Sequence, residues 1–194
     1  MDLIEALARD DSLFIRPDGS RWEGFGLAIQ AYQKRGVPMV DWTARLARKY
    51  DRRFFVRLVK GAYWDTEIKL SHVGGFTDFP VFTRKLGTDV SYLACAEKML
   101  AADDAIYSAF ATHNAYTVGA IKALAGDMRS SRETPGRAKT FEFQRLHGMG
   151  EDIYAALANL EGNNRTNVRI YAPTGTHKDL LAYLVRRLLE NGAN

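Results

Sequence analysis

Residues Phe54 to Asp65 (FFVRLVKGAYWD) limit the possible folds most sharply: a run of Phe, Val and Leu carries two cations, Arg57 and Lys60, and breaks at Gly61. Bounded by Arg52-Arg53 on one side and a glycine on the other, the run reads as a buried strand, and its apolar residues suit a sheet covered on both faces. Taking an unpaired cation out of water costs several kcal/mol. Arg57 and Lys60 therefore call for anions, and in α/β proteins the anion is commonly a ligand at the carboxyl end of the strand.

The rest of the chain repeats this plan. Segments 25–32, 105–112, 141–146 and 168–171 are short and apolar. Around them, helical spacing covers 1–8, 37–50, 88–99, 115–125, a short helix ending at Leu160, and 177–190. Residues 10–24 read as a surface loop around Pro17-Asp18-Gly19-Ser20, residues 66–82 as irregular and Gly-rich, and residues 127–140 as a long charged connection. Strands alternating with helices, with polar residues gathered at the strand ends, predict an α/β fold with a parallel layer. A closed barrel of eight βα units takes about 250 residues, whereas five units fill these 194. That leaves an open doubly wound sheet or a partial (βα)8 barrel lacking its first three units. No Gly-x-Gly-x-x-Gly follows the first strand and no P-loop is present, which weakens the nucleotide-binding forms of the open sheet.

Composition narrows the function classes. The net charge of +4, from 27 basic and 23 acidic residues, is scattered rather than gathered into basic runs with interleaved aromatics, so nucleic acid is not an expected partner. A single cysteine, Cys95, excludes an internal disulfide and a thiolate cluster, and no metal is expected. No segment approaches the roughly 18 consecutive apolar residues of a membrane span, and no leader is evident, so the chain reads as soluble and cytoplasmic. The opening segment reads as the last turns of a helix, which points to a missing N-terminal portion.

Several polar residues sit where such a fold places ligands, and each has a plain alternative. In the last helix Leu181, Leu184, Val185 and Leu188 form one stripe, with Tyr183, Arg186, Arg187 and Glu190 opposite. That polar side is either a solvated face with an Arg186–Glu190 pair or a double guanidinium clamp for a carboxylate or phosphate. Arg57 is either ion-paired with a buried carboxylate or aimed at a ligand. Lys60 is a Schiff-base lysine, a phosphate ligand or a strand-end cation. His113 and His147 end two strands, and Gln30 and Gln144 place amides inside apolar ones. Together these residues put amides, cations and a histidine at the ends of four consecutive strands, which scattered core satisfaction does not readily explain.

Five segments carry a family resemblance: 57–65 (RLVKGAYWD), 110–114 (FATHN), 143–150 (FQRLHGMG), 169–177 (RIYAPTGTH) and 180–194 (LLAYLVRRLLENGAN). In order and content they closely resemble the proline dehydrogenase domain of bacterial bifunctional proline utilization A, over nearly the whole chain. The resemblance implies a distorted (βα)8 barrel that binds FAD and oxidises L-proline to Δ1-pyrroline-5-carboxylate, with hydride transfer to flavin N5. Arg57 would lie near N5, with Gln30 and His113 at the isoalloxazine. Lys60, Gly61, Ala62, Thr83, Arg84 and Lys85 would hold the pyrophosphate and adenosine, and Trp64, Thr112, Asn114 and Gln144 would complete the cofactor site. Arg186 and Arg187 would grip the proline carboxylate, Tyr63, Leu146, Tyr171 and Tyr183 would enclose the ring, and Glu190 would orient the arginines or the cofactor side. Arg57, Tyr171, Arg186 and Arg187 form the catalytic set that the resemblance implies.

The chain departs from the family pattern in lacking its first three strands, with a lysine and an aspartate near the proline site. The aldehyde dehydrogenase domain that the family carries further along the polypeptide is also absent. The expectation is a single partial barrel domain over 1–194, a fragment of a larger protein with a quinone-type electron acceptor, cytoplasmic or peripheral at the inner membrane. Its open strand edges predict poor solubility or reduced stability in isolation. Two other readings stand beside it: an inactive barrel remnant with weak FAD affinity, and a barrel aldolase using Lys60 as its Schiff-base residue.

Overall fold

The computed structural model describes residues 2–131, 141–163 and 165–192, and among these the side chains of 2–126, 141–163 and 165–188. Five strands alternate with seven α-helices among those residues: α1 (Asp2–Arg9), β1 (Gly26–Gln30), α2 (Gly36–Lys49), β2 (Phe54–Val59), α3 (Trp64–Val73), α4 (Lys85–Ala101), β3 (Ile106–Ala111), α5 (Ala115–Ser131), β4 (Phe141–Leu146), α6 (Glu151–Glu161), β5 (Asn167–Tyr171) and α7 (His177–Gly192). The strands form one sheet in the order β1-β2-β3-β4-β5, every neighbouring pair parallel. This is the α/β plan read from the sequence, five βα units of the (βα)8 type.

Strand alternation sorts the chemistry between two faces. In β2, Phe54, Val56 and Leu58 are fully buried, while Phe55, Arg57 and Val59 are half-buried on the other side. Parallel pairing carries that parity across the sheet, because Ala28, Arg57, Ala109 and Glu142 stand in register, as do Ala111, Gln144 and Arg169. One face therefore packs Phe54, Leu58, Ile106, Phe110 and Phe143 against Val40, Leu46, Met99 and Ile121 of the covering helices. Each such fully buried side chain contributes about 1.5–3 kcal/mol. Cys95 belongs to this core, where burial pushes its thiol up to about 11. The opposite face collects the polar residues.

Several boundaries differ from the sequence reading. Residues 64–73 are helical, not irregular: Asp65 and Glu67 occupy the first turn and Gly74-Gly75 close the end, with Gly75 at φ +64°. The helix was hard to read because Leu70 and Val73 are exposed, so its apolar residues make no buried stripe. Helix α4 begins at Lys85 rather than Thr88, making the polar corner its first turn. A short 3-10 turn at Asp11–Leu13, capped by Asp10, and a bridge between Ile15 and Arg21 give the 10–24 loop its shape. Helix α5 runs on to Ser131, and the remainder of the charged connection lies outside the described residues. Among the described residues β1 and β5 each pair on one side only. Val168 and Ile170 of β5 are 36% and 52% exposed, in a groove bordered by Tyr154, Leu157 and Ala158 of α6.

Candidate functional site

The polar residues converge where the strands end. A cavity of about 280 Å³ is lined by Arg57, Thr112, His113, Asn114, Tyr171 and Arg187. A neighbouring one of about 500 Å³ is lined by Gly61, Ala62, Tyr63, Trp64, Thr83 and Lys85, with Arg186 at its edge. Lys60 borders both, so the two are lobes of one strand-end site. Five cations (Arg57, Lys60, Lys85, Arg186 and Arg187) line the lobes, against one carboxylate, Asp65. The first turns of α3 and α4 border the larger lobe and that of α5 the smaller, adding backbone N–H groups and the positive ends of three helix dipoles. Lys60 and Lys85 share Asp89, which leaves Arg57 and Arg186 as cations of the lobes without a carboxylate partner among the described residues.

Local geometry explains why these residue types stand here. Gly61 adopts φ +137°, and a Cβ would lie 2.5 Å from the Tyr32 ring. No other residue turns the chain there while letting the backbone border the lobe. Tyr32 is buried, and burial pushes its phenol up to about 12. Its hydroxyl makes no hydrogen bond of good geometry, although the Tyr63 backbone and Glu67 lie close enough to influence it. Trp64 Nε1 donates to the Phe82 carbonyl at 2.8 Å, pinning the indole along the larger lobe. Asn114 Oδ1 accepts from Thr117 N at 2.9 Å and so caps α5. The His113 ring is tied to the scaffold, its Nε2 accepting from Leu146 N at 2.9 Å.

The two cations of β2 have different surroundings. Lys60 is buried and donates to Asp89 Oδ1 at 2.6 Å, and Lys85 donates to the other oxygen at 2.7 Å. Burial alone would raise the Asp89 pKa, but hydrogen bonds from Lys60 and Lys85 outweigh it and hold the carboxyl below its ordinary range. Among the described residues no carboxylate stands against Arg57. Its Nε donates to Gln144 Oε1 at 2.7 Å, and its guanidinium lies 5.0 Å from the Tyr171 ring centre. The buried ion pair considered for Arg57 is thus replaced by an amide, and Gln144 passes the contact on to Glu142, which in turn binds Arg169.

Helix α7 turns its polar side toward the site. Arg186 lies 5.9 Å from the Tyr63 ring centre and Arg187 5.2 Å from that of Tyr183, while Leu181, Leu184, Val185 and Leu188 are exposed. Arg187 is half-buried, while Arg186 remains exposed, so a solvated polar face fits Arg186 but not Arg187. The two arginines border different lobes. The Glu190 side chain lies outside those described. Gln30, Arg84, Leu146, Gln144 and Tyr183 do not themselves line the lobes, although Gln144 and Tyr183 touch residues that do. Sequence reasoning missed Asp89, Tyr32, Glu142 and Arg169. The Lys85–Asp89 spacing of i,i+4 signals the first, and the polarity that singles out Gln144 inside an apolar strand equally singles out Glu142. Among the described residues no three His, Cys, Asp or Glu side chains cluster for a metal, and no helix is long and apolar enough to cross a membrane.

Comparison with known proteins gives a consistent result. The proline dehydrogenase family model matches residues 1–194. The chain is 51% identical over 196 residues to the bifunctional protein PutA of Escherichia coli strain K12, covering all of this chain and 14% of that protein. It is 49% identical to PutA of Rhizobium meliloti, covering all of this chain and 15% of the relative. The crystal structure of a Bradyrhizobium japonicum proline utilization A variant superposes with a TM-score of 0.82 at 52% identity, over all of this chain and 18% of that one. The chain therefore spans about a seventh of the length of these curated relatives.

Proposed function

We propose that this chain, which belongs to the proline dehydrogenase family, supplies the strand-end site of an FAD-dependent enzyme that oxidises L-proline to Δ1-pyrroline-5-carboxylate, as part of a longer polypeptide. The observation that carries the reading is the two-lobed cavity with five cations, Tyr171 and three helix N-termini at one end of the sheet. The residues fit a long dianionic cofactor beside a small amino acid: Gly61 has no room for a Cβ, and Lys60, Lys85 and Thr83 border the larger lobe. Lys60, Gly61, Ala62, Thr83, Arg84 and Lys85 would hold the pyrophosphate and adenosine, with Gln30, Trp64, Thr112, His113, Asn114, Gln144 and Glu190 completing the cradle. FAD, when bound, supplies the hydride acceptor, N5.

The protein's own part is orientation and charge. Arg57, held through Nε by Gln144, presents a fixed cation beside the flavin ring. Arg186 and Arg187 neutralise the proline carboxylate, and a planar guanidinium fork fixes the substrate's orientation as well as its charge. Tyr171, Tyr63, Tyr183 and Leu146 enclose the ring. Lys60 borders both lobes as a cation already paired with Asp89 at 2.6 Å rather than as a free amine nucleophile, which argues against the aldolase reading. We further place residues 1–194 in a single barrel domain of a cytoplasmic protein, peripheral at the inner membrane, with an aldehyde dehydrogenase domain in the same chain and a quinone-type acceptor.

The purified longer protein should show flavin absorbance and proline-dependent reduction of an artificial acceptor, and Arg187→Met should raise the proline KM. Absence of both flavin and turnover would refute the assignment. The one-sided pairing of β1 and β5 favours activity only in the longer chain. Turnover by the 194 residues alone would rule out the inactive-remnant alternative.

A further inference from the structure

The inner face of the sheet holds a buried charge with no task in the reaction described above. Glu142 on β4 is 3% exposed. Its Oε1 accepts from Arg169 Nε at 2.6 Å and Gln144 Nε2 at 2.8 Å, and its Oε2 accepts from the second Arg169 donor at 2.8 Å and the Tyr107 hydroxyl at 3.3 Å. Burial works against the charge, yet the hydrogen bonds from Arg169, Gln144 and Tyr107 bring the carboxyl below its ordinary range. This is a carboxylate kept ionised inside the sheet.

What it does follows from the amide beside it. Gln144 gives its Nε2 to Glu142 and takes Arg57 Nε at 2.7 Å on its Oε1. Only one amide orientation satisfies both ends, because the flipped one sets oxygen against carboxylate and N–H against guanidinium. Glu142 therefore locks, from the far end, the Gln144 orientation that gives Arg57 its acceptor. Strand β3 lies between, and its residues in this part of the face are Ala109 and Ala111, in register with Arg57, Glu142 and Gln144. Two methyl groups leave free the span of about 10 Å between the outer strands of this trio, across which Arg57 and Gln144 meet. With Nε engaged, the terminal amino groups of Arg57 are left for the lobe that it lines with Tyr171.

We propose that Glu142 is a positioning residue, orienting Gln144 and thereby fixing the Arg57 guanidinium at the cofactor lobe, an inference that rests on the function proposed above. A neutral glutamine at 142 offers both a donor and an acceptor, so this end no longer selects the Gln144 orientation, and only the Arg57 guanidinium itself opposes the flip that would take away its acceptor. Because Arg57 addresses the cofactor rather than the proline carboxylate, the loss falls on rate and not on substrate affinity.

The test is Glu142→Gln in the flavin-loaded longer protein. We expect kcat to fall roughly 10- to 100-fold, the scale of a misplacement of about 1 Å, with the proline KM changed by less than about twofold. In an Arg57→Met background the same substitution should add no further loss, since its effect runs through Arg57. Losses that multiply in the double variant would overturn the proposal. Crystal structures give a readout independent of turnover: Arg57 should leave its contact with Tyr171 or split between two conformers, and an unmoved Arg57 and Gln144 would overturn it equally. If Glu142→Gln does not fold, Glu142→Asp keeps the charge but withdraws it by one methylene, and the same measurements apply at smaller amplitude. A wild-type protein with neither flavin nor proline turnover would sink the proposed function, whereas the position of Arg57 in the variant crystal still decides the positioning role.

Discussion

Replacing Asp89 with asparagine tests the electrostatic logic of the strand end. The Lys60 side chain is 8% exposed and that of Asp89 30% exposed, at 2.6 Å. Removing one partner of a fully buried pair costs about 3–5 kcal/mol, because the other charge stays behind without compensation. Here water reaches part of Asp89 and asparagine keeps a neutral acceptor, so the expected cost is about 2–3 kcal/mol. In a domain of this size that is roughly 5–10 °C in Tm. The matched control is Lys85→Met, which removes only the outer arm, a Lys85–Asp89 pair at i,i+4 with Lys85 49% exposed. Its cost should stay at about 0.3–0.5 kcal/mol, the scale of a helix-surface i,i+4 pair. Urea unfolding at pH 7, followed by tryptophan fluorescence, measures both, and Trp64 reports from the wall of the same lobe. Equal, small losses in the two variants would refute the argument, because Lys60 would then be stabilised by something other than Asp89.

Other consequences are as direct. The pH dependence has a definite sign: Asp89 and Glu142 both have folded pKa values below their unfolded ones. Their contribution is present above the unfolded value and is lost as pH falls through the folded one, so the gap between wild type and Asp89→Asn should close on acidification. Gly61→Ala places a Cβ 2.5 Å from the buried Tyr32 ring at φ +137°. A loss of about 2–4 kcal/mol, from strain and overpacking together, is expected in the same unfolding assay. Asn114→Ala removes the cap of α5 and should cost about 1 kcal/mol, read as a lower urea midpoint with an unchanged m-value. The unpaired sides of β1 and β5 should make the 194-residue chain associate as its concentration rises, which sedimentation velocity detects.

Much of the architecture was legible because it is local. Period-two alternation in 54–59 separates Phe54, Val56 and Leu58 from Phe55, Arg57 and Val59 wherever the strand is placed. Gln144 stood out as an amide in an apolar strand, and strand parity places Glu142 on the same face. Helix α3 was illegible for the opposite reason: with Leu70 and Val73 exposed, its sequence carries no buried stripe to reveal it. The resemblance in the strand-end motifs supplied candidate roles that periodicity alone left open. It did not reveal that Lys60 shares Asp89 with Lys85, or that Arg57 rests on an amide.

By itself the sequence determined the succession of five strands and their helices, the face that each strand residue takes, and the gathering of cations at strand ends. Those follow from rules that act over two to four residues, the repeat of a strand or a helical turn. Only the tertiary structure decided which groups meet. Lys60 and Asp89 are 29 residues apart and Arg57 and Gln144 are 87 apart, and such pairs depend on strand order, register and two small alanines on β3 rather than on any local period. The same holds for α7. Its amphipathic pattern is as compatible with a solvated arginine face as with an inward one, and only its placement at the mouth of the site turns Arg187 toward Arg57 and Tyr171 and leaves the leucines outside.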